Sequence, residues 1–138
     1  NGTMKCLFLI ILLVTGCSFT ENKQVTFKAT CDQLSAKNHL AWNVQAHSND
    51  LLFVTLCSNP TTGFQWSKSA QISDESVAEQ KNHTFTSPAK PMPGSASTEE
   101  WTLSTLKKGT TTVVWEYSRP WDGGEKGVWS LTATIVID

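Results

Sequence analysis

Short apolar runs with a period of two dominate the chain, and a helical period is almost absent. Such alternation is typical of strands that bury one face and expose the other. In the last run, one face carries Trp129, Leu131, Ala133, Ile135 and Ile137. Eight runs, separated by turn residues, lie at Val25–Ala29, Leu40–Ala46, Leu51–Cys57, Phe64–Ser69, Val77–Phe85, Thr98–Leu106, Thr110–Ser118 and Val128–Ile137.

Eight short strands favour an all-β domain built as an immunoglobulin-like β-sandwich, with antiparallel sheets and Greek-key connections. The turn Lys107-Lys108-Gly109-Thr110 is short and predicts a hairpin between two of the runs. We expect one face of the third and last runs to be buried, namely Leu52, Val54, Leu56, Trp129, Leu131, Ala133 and Ile135. We expect Ser130, Thr132 and Thr134 to be more exposed.

The first 23 residues lie outside this pattern and predict export. Residues 1–3 are interpreted as an expression scar, and the apolar run Leu7–Val14 as the core of a signal peptide that ends at residue 16. The segment Val14-Thr15-Gly16-Cys17 resembles the lipobox of bacterial lipoproteins, in which the thiol takes a lipid. We therefore predict a lipid on Cys17, a tether over residues 17–23 and a domain over 24–138, in the cell envelope. An ordinary secretory signal or a short apolar anchor is the alternative.

The remaining cysteines and the net charge restrict the chemistry further. Cys6 lies in the signal segment, which leaves only Cys31 and Cys57 in the domain. An exported protein permits a disulfide between them, and two buried free thiols are the alternative. The formal net charge is −1, so no broad basic face exists to bind nucleic acid.

No pattern of catalytic residues is present, and we expect a protein that is not an enzyme and binds no metal or cofactor. The sequence holds no nucleophile elbow, zinc-binding helix motif or phosphate-binding glycine loop. The histidines His39, His47 and His83 are scattered, and we expect them to be exposed. Glu99 and Glu100 are neighbours on a strand, so their side chains point to opposite faces.

Three segments between strands are unusual and predict a binding surface. The first loop is Ser58–Gly63, the middle loop is Ser87–Ser97, and the third loop is Arg119–Gly127. Alternate connections of a Greek-key sandwich lie at the same end, so the three loops should converge. Loops held on a rigid scaffold are where proteins place binding residues.

The first and third loops carry residues suited to insertion into a cleft. Pro60 fixes one backbone angle and Gly63 permits a positive one, which holds the threonines between them at a tight tip. Arg119 and Trp121 are the residue types that dominate binding hot spots. Because Trp121 follows Pro120 in a loop with three glycines, we expect its indole to be exposed. The alternative is that Trp121 caps the core and that Arg119 pairs with a carboxylate.

The motif Asn59-Pro60-Thr61-Thr62-Gly63-Phe64, followed by Arg119-Pro120-Trp121, resembles the chagasin family of cysteine peptidase inhibitors. The resemblance covers roughly Leu51 to Asp138. It implies an immunoglobulin-like sandwich whose three loops block papain-like cysteine peptidases reversibly. It also implies that peptidase binding falls to Asn59, Pro60, Thr61, Thr62, Gly63, Phe64, Gly94, Ser95, Ala96, Arg119, Pro120 and Trp121.

The resemblance also implies a role for each loop. Thr61 would lie nearest the catalytic cysteine of the peptidase, and Trp121 would contact an aromatic rim on the primed side. The middle loop of the family carries a Gly-x-Gly motif that pairs with the non-primed side. Here the stretch is Gly94-Ser95-Ala96, so alanine replaces the second glycine. Alanine adopts fewer backbone conformations than glycine.

We expect a monomer whose partners are papain-like peptidases, with contact to a membrane only through the lipid anchor. The alternative is a non-inhibitory surface module for adhesion or carbohydrate binding. The six tryptophans of the chain would suit stacking on sugars, although most fall within strand patterns.

Overall fold

The computed structural model of the protein describes residues 23–90, 92 and 95–138. The predicted signal segment, Cys17 and Gly94 lie outside the described residues. Among those described, no helix is long and apolar enough to cross a membrane. In chain order the helix and strands are β1 (Gln24–Ala29), α1 (Cys31–Lys37), β2 (His39–Ala46), β3 (Leu51–Ser58), β4 (Gln65–Trp66), β5 (Gln71–Ile72), β6 (Ala78–Thr86), β7 (Ser97–Thr105), β8 (Gly109–Ser118) and β9 (Trp129–Ile137).

The strands form two sheets, and the predicted β-sandwich is confirmed. One sheet has the order β1-β3-β7-β6, and the other has the order β2-β9-β8-β4, with β5 also paired to β8. The β6–β7, β3–β7 and β8–β9 pairs are antiparallel, as predicted. The predicted hairpin across Lys107–Thr110 is wrong, because the short turn carries the chain from β7 in one sheet to β8 in the other. Two pairs depart from this, because β1 lies parallel to β3 and β2 lies parallel to β9. Both departures occur where the chain passes from one sheet to the other through α1.

Helix α1 is an element that the alternation does not predict. Thr30 caps it, since its side chain accepts a hydrogen bond from the backbone N–H of Gln33 while the Gln33 side chain accepts one from Thr30. This reciprocal pair is a capping box, which satisfies two N–H groups at the start of the helix. Leu34 is the buried residue of the helix, so α1 is held to the sandwich by one apolar side chain and by the cysteine at its first position.

The buried faces follow the predicted register. Leu52, Val54 and Leu56 are almost completely buried, as are Leu131, Ala133 and Ile135. Trp129 differs from the prediction, because it is only half-buried and stacks on Tyr117 with ring centroids 4.9 Å apart. The core between the sheets is rich in aromatic rings, and three tryptophans at its centre contact edge to face: Trp66, Trp101 and Trp115.

Cys31 and Cys57 form a disulfide, with their Cα atoms 5.2 Å apart. Cys31 is the first residue of α1, and Cys57 lies on β3 just before the first loop. The bridge therefore joins the strand that leads into the first loop to the helix that connects the two sheets. Of the two states that the sequence leaves open, the structure has the bonded one.

We expect replacement of both cysteines by serine to destabilise the fold by roughly 3 to 4 kcal/mol, because a bridge across this separation of 26 residues restricts the unfolded chain by about that amount. Urea unfolding of a soluble form beginning at Ser18 measures the change. Reductant should lower the stability of the parent protein by a similar amount and leave the double variant unaffected. Equal stability of the two proteins without reductant would contradict the bridge.

Candidate functional site

The three loops converge at one end of the sandwich, as predicted. The first loop follows β3, the middle loop joins β6 to β7, and the third loop joins β8 to β9. Ser58 at the end of β3 pairs with Ser97 at the start of β7, which brings the roots of the first and middle loops together. A surface pocket of about 510 Å³ is lined by residues of all three loops, among them Asn59, Ala96 and Arg119.

The first loop is a folded turn with an exposed tip. Pro60–Thr62 forms one turn of 3-10 helix, and Gly63 ends it in the left-handed conformation with φ of 83°. The Thr61 hydroxyl donates to the Asn59 side chain at 2.7 Å, and the Thr62 hydroxyl donates to the Asn59 carbonyl at 2.7 Å. Asn59 therefore holds both threonines, and the tip is not an extended peptide.

The base of the first loop is fixed to the core by two aromatic side chains. The backbone N–H of Asn59 donates to the Tyr117 hydroxyl at 2.8 Å, and the indole of Trp66 donates to the Cys57 carbonyl at 2.8 Å. Tyr117 and Trp66 are buried. With the disulfide at Cys57, these bonds fix the chain on entry to the turn.

The third loop packs directly against the first. The ring of Trp121 covers Gly63 so closely that a methyl group on Gly63 would come within 2.6 Å of Trp121 Cη2. Arg119 donates from Nε to the Thr62 carbonyl at 3.3 Å, and its guanidinium lies 4.4 Å from the centre of the Phe64 ring. Arg119 thus contacts a carbonyl and an aromatic ring, where the alternative interpretation placed a carboxylate.

Trp121 is 52% exposed, whereas Trp115 on the neighbouring strand is completely buried. The predicted exposure of Trp121 is confirmed, and the alternative in which it caps the core is wrong. The ring rests on Gly63 and lies close to Gly124, and its remaining surface faces solvent. A large aromatic anchor is therefore displayed beside the tip formed by Thr61 and Thr62.

The third loop contains a set of exposed hydrogen bonds that the sequence does not predict. The Lys126 ammonium donates to the carbonyls of Arg119 at 2.8 Å, Trp121 at 2.7 Å and Gly124 at 3.0 Å. A lysine in a glycine-rich loop normally faces water, so no local signal in the sequence indicates this role.

Two local bonds join described residues of the middle loop. Ser95 donates its backbone N–H to the Met92 carbonyl at 2.9 Å, and Met92 donates its N–H to the Ser95 hydroxyl at 3.1 Å. Ala96 is exposed. The predicted departure from the Gly-x-Gly pattern therefore lies on the accessible side of the loop, and Gly94 itself is not described.

A second polar feature lies on β6 and β7, beside the first loop. His83 Nε2 is 2.8 Å from Glu99 Oε1, and the side chains are only 17% and 7% exposed. The expectation that all three histidines are exposed is wrong for His83. The reason is an irregularity in the pairing of β6 between Gln80 and Asn82, which changes the face on which the following residues lie.

The His83–Glu99 pair faces a shallow cleft of about 280 Å³ that also includes Pro60 and Phe85. Across the described part of the chain, no group of three or more His, Cys, Asp or Glu side chains is placed to hold a metal ion. The surface that the three loops expose to a partner consists of backbone groups and aromatic side chains.

Comparison with known proteins agrees with this geometry. Residues 45–135 match the family model described as the chagasin family peptidase inhibitor I42. Amoebiasin-2 of Entamoeba histolytica is 32% identical over 119 residues, which is 82% of this chain and 96% of that protein.

Two solved structures have a similar fold. The crystal structure of the cysteine protease inhibitor EhICP2 from Entamoeba histolytica has a TM-score of 0.62 and 28% identity, and the match covers 86% of this chain and all of that one. PbICP-C, solved in complex with falcipain-2, has a TM-score of 0.61 and 13% identity, and the match covers 85% of this chain and all of that one. The second likeness shows the fold alone.

We expect Gly63→Ala to disturb the site more than Gly123→Ala. Both glycines have positive φ, of 83° and 77°, so both variants strain the backbone, by about 1 kcal/mol. Only at Gly63 does the new methyl group collide with Trp121, since nothing lies within 4 Å of the same position at Gly123. Thermal melts and the indole N–H resonance of Trp121 measure the difference. Identical effects of the two substitutions would mean that Trp121 does not rest on Gly63 in solution.

Proposed function

Since the chain belongs to the chagasin family of peptidase inhibitors, we propose that it is a reversible, competitive inhibitor of papain-like cysteine peptidases. The observation that carries the proposal is the packing of the Asn59–Phe64 turn against the Arg119-Pro120-Trp121 segment as one exposed wedge. Both motifs are distant in sequence and meet at the tip of the domain. The chain acts by occupying a cleft, and we assign it no catalytic activity of its own.

The conformation of the first loop explains why such a protein blocks a peptidase without serving as its substrate. A papain-like cleft takes substrate as an extended peptide, whereas Pro60–Thr62 is a turn of 3-10 helix. Internal bonds from Thr61 and Thr62 to Asn59 oppose its extension. Thr61, exposed at the tip, is the residue that we place nearest the catalytic cysteine of the peptidase.

The other two loops extend the contact to either side of the tip. We place the exposed ring of Trp121 against the primed side of the cleft, with Arg119 supporting it through Thr62 and Phe64. We place Gly94, Ser95 and Ala96 against the non-primed region of the cleft. Because internal bonds hold the first loop and join it to the third, little conformational entropy of these two loops is lost on binding.

The carbohydrate-binding alternative has lost its main support. It rested on tryptophans available to stack on sugars, but Trp66, Trp101 and Trp115 are buried in the core. Trp121 is the large exposed tryptophan among the described residues, and it lies within the inhibitor motif. A single aromatic beside a threonine turn suits a peptidase cleft better than a sugar.

The test of the function is direct. Progress curves of several papain-like peptidases, recorded with increasing inhibitor at different substrate concentrations, should show reversible inhibition that substrate relieves. A serine peptidase assayed in parallel should be unaffected. If every papain-like enzyme tested kept its full activity at micromolar inhibitor, the proposal would be contradicted.

We expect Trp121→Ala to weaken inhibition by at least about thirtyfold, equivalent to about 2 kcal/mol, because truncation of a hot-spot tryptophan has that cost. The melting temperature should hardly change, since the ring lies outside the core. Inhibition constants and thermal melts on the same two proteins measure both quantities. A variant that stays folded and inhibits like the parent would show that Trp121 is not an anchor.

The proposal also covers the cellular location and the oligomeric state of the protein. We propose an exported protein that carries a lipid on Cys17, as the lipobox-like segment before it predicts. The disulfide between Cys31 and Cys57 supports export, because such bonds persist in oxidising compartments. We propose that the inhibitor acts as a monomer, since the three loops of one chain already form the wedge.

Native material should carry the lipid mass on Cys17 and partition with membranes. Mass spectrometry of its N-terminal peptide measures this, and an unmodified N-terminus at another residue would contradict it. A soluble form that begins at Ser18 should inhibit as strongly as the native form, because the loops alone make the contacts with the peptidase.

A further inference from the structure

We propose that Lys126 is a positioning residue for inhibition: its side chain is exposed, and its ammonium bonds three carbonyls of the third loop and thereby fixes Trp121 for binding. The inference rests on the proposed function for its effect on inhibition. Its structural part, the placement of Trp121, stands independently and is tested separately below.

The contacts of the ammonium are complete. Lysine carries three N–H donors, and here each has a carbonyl partner within 3.0 Å. The partners are Arg119 at the entry of the loop, Trp121 in its middle and Gly124 on the return. One charged group therefore ties together three points of the loop, and bonds of this kind are stronger than those between neutral groups.

The loop requires these bonds because its glycine-rich sequence allows many backbone conformations. Three of its nine residues are glycine, and Gly123 and Gly127 have positive φ of 77° and 63°. No side chain fits at Gly124, where a methyl group would lie 2.6 Å from the Arg119 carbonyl. Backbone bonds from Arg119 N–H to the Glu125 carbonyl at 2.8 Å and from Gly124 N–H to the Trp121 carbonyl at 3.0 Å close the loop, and Lys126 adds its three bonds to this framework.

Lys126 holds the backbone of Trp121, the residue that we propose as the binding anchor. The shortest of the three bonds is to the carbonyl of Trp121, whose ring rests on Gly63 of the first loop. A second bond holds the carbonyl of Arg119, whose side chain contacts Thr62 and Phe64. Lys126 therefore fixes the backbone under both side chains that join the third loop to the first.

Loss of Lys126 should change affinity and leave the fold intact. The loop is at the surface, so its carbonyls can bind water when the ammonium is removed. The buried core lies between the sheets and does not include Lys126. The loosened loop must then be ordered again when the peptidase binds, and ordering of a mobile anchor lowers affinity.

Lys126→Met keeps the length of the side chain and removes its donors. We expect inhibition to weaken by roughly tenfold, the equivalent of one ordered anchor, with an unchanged melting temperature. Lys108→Met, in the exposed turn at the opposite end of the sandwich, removes the same charge and should inhibit like the parent. Lys126→Arg keeps a charged donor and should recover part of the loss.

Two further measurements separate positioning from a general loss of structure. In a Trp121→Ala background, Lys126→Met should lose most of its effect on inhibition, leaving only the part exerted through Arg119. The indole N–H resonance of Trp121, assigned by its absence from Trp121→Ala, should move or broaden in Lys126→Met. The resonances of the buried Trp101 and Trp115 should stay in place.

The outcomes are distinguishable. Unchanged inhibition by Lys126→Met, an equal loss in the Trp121→Ala background, or an unmoved Trp121 resonance would each overturn the inference. Unfolding of both Lys126→Met and Lys126→Arg would also overturn it, since Lys126 would then belong to the fold. If the parent protein inhibits no papain-like peptidase, the proposed function fails, and the resonance of Trp121 still decides whether Lys126 positions it.

Discussion

The contact between the ring of Trp121 and the bare Cα of Gly63 is the constraint on which the site depends. Any side chain at Gly63 would occupy the space of the ring, so glycine is required there by its neighbour as well as by its positive φ. Through this contact two loops that are far apart in sequence become a single body. Arg119 adds a second connection, because it bonds Thr62 and covers Phe64. The proposed inhibitor surface is therefore a property of the pair of loops.

The joined first and third loops are attached to the sandwich in large part through Tyr117. Its hydroxyl accepts the backbone N–H of Asn59, its ring contacts Phe64 and stacks on Trp129, and its carbonyl accepts the N–H of Val128 at the end of the third loop. Tyr117 is buried, and β8 places it between the two loops. The geometry of the tip thus depends on the packing of the sheets, which explains how an exposed turn is held rigid.

The sequence predicted those parts of the structure that depend on residues close together in the chain. Alternation placed the buried faces of β3 and β9, and the proline and glycines around Trp121 predicted its exposure. The parallel pairing of β1 with β3 could not be read in this way, because it depends on where the chain crosses between sheets. Helix α1 is too short for a helical period, although Thr30 and Gln33 at capping-box spacing are a signal that could have indicated it.

The parts of the site that the sequence did not predict share one cause, which is that they depend on contacts between elements. The motifs identified the first and third loops. They did not predict the contact of Gly63 with Trp121 or the position of Lys126 among three carbonyls. The burial of His83 follows from an irregular pairing of β6. Each of these depends on register or loop closure, which a single sequence does not state.

The contacts that hold the first and third loops bear on target choice. These two loops are joined to each other and to Tyr117. In the proposed function they meet the catalytic centre, which papain-like enzymes share, whereas the middle loop meets the non-primed side. Ala96 is exposed on the middle loop, and its methyl group restricts the backbone compared with glycine. The change from the family pattern should therefore alter which peptidases are bound tightly and leave the way the cleft is blocked unchanged.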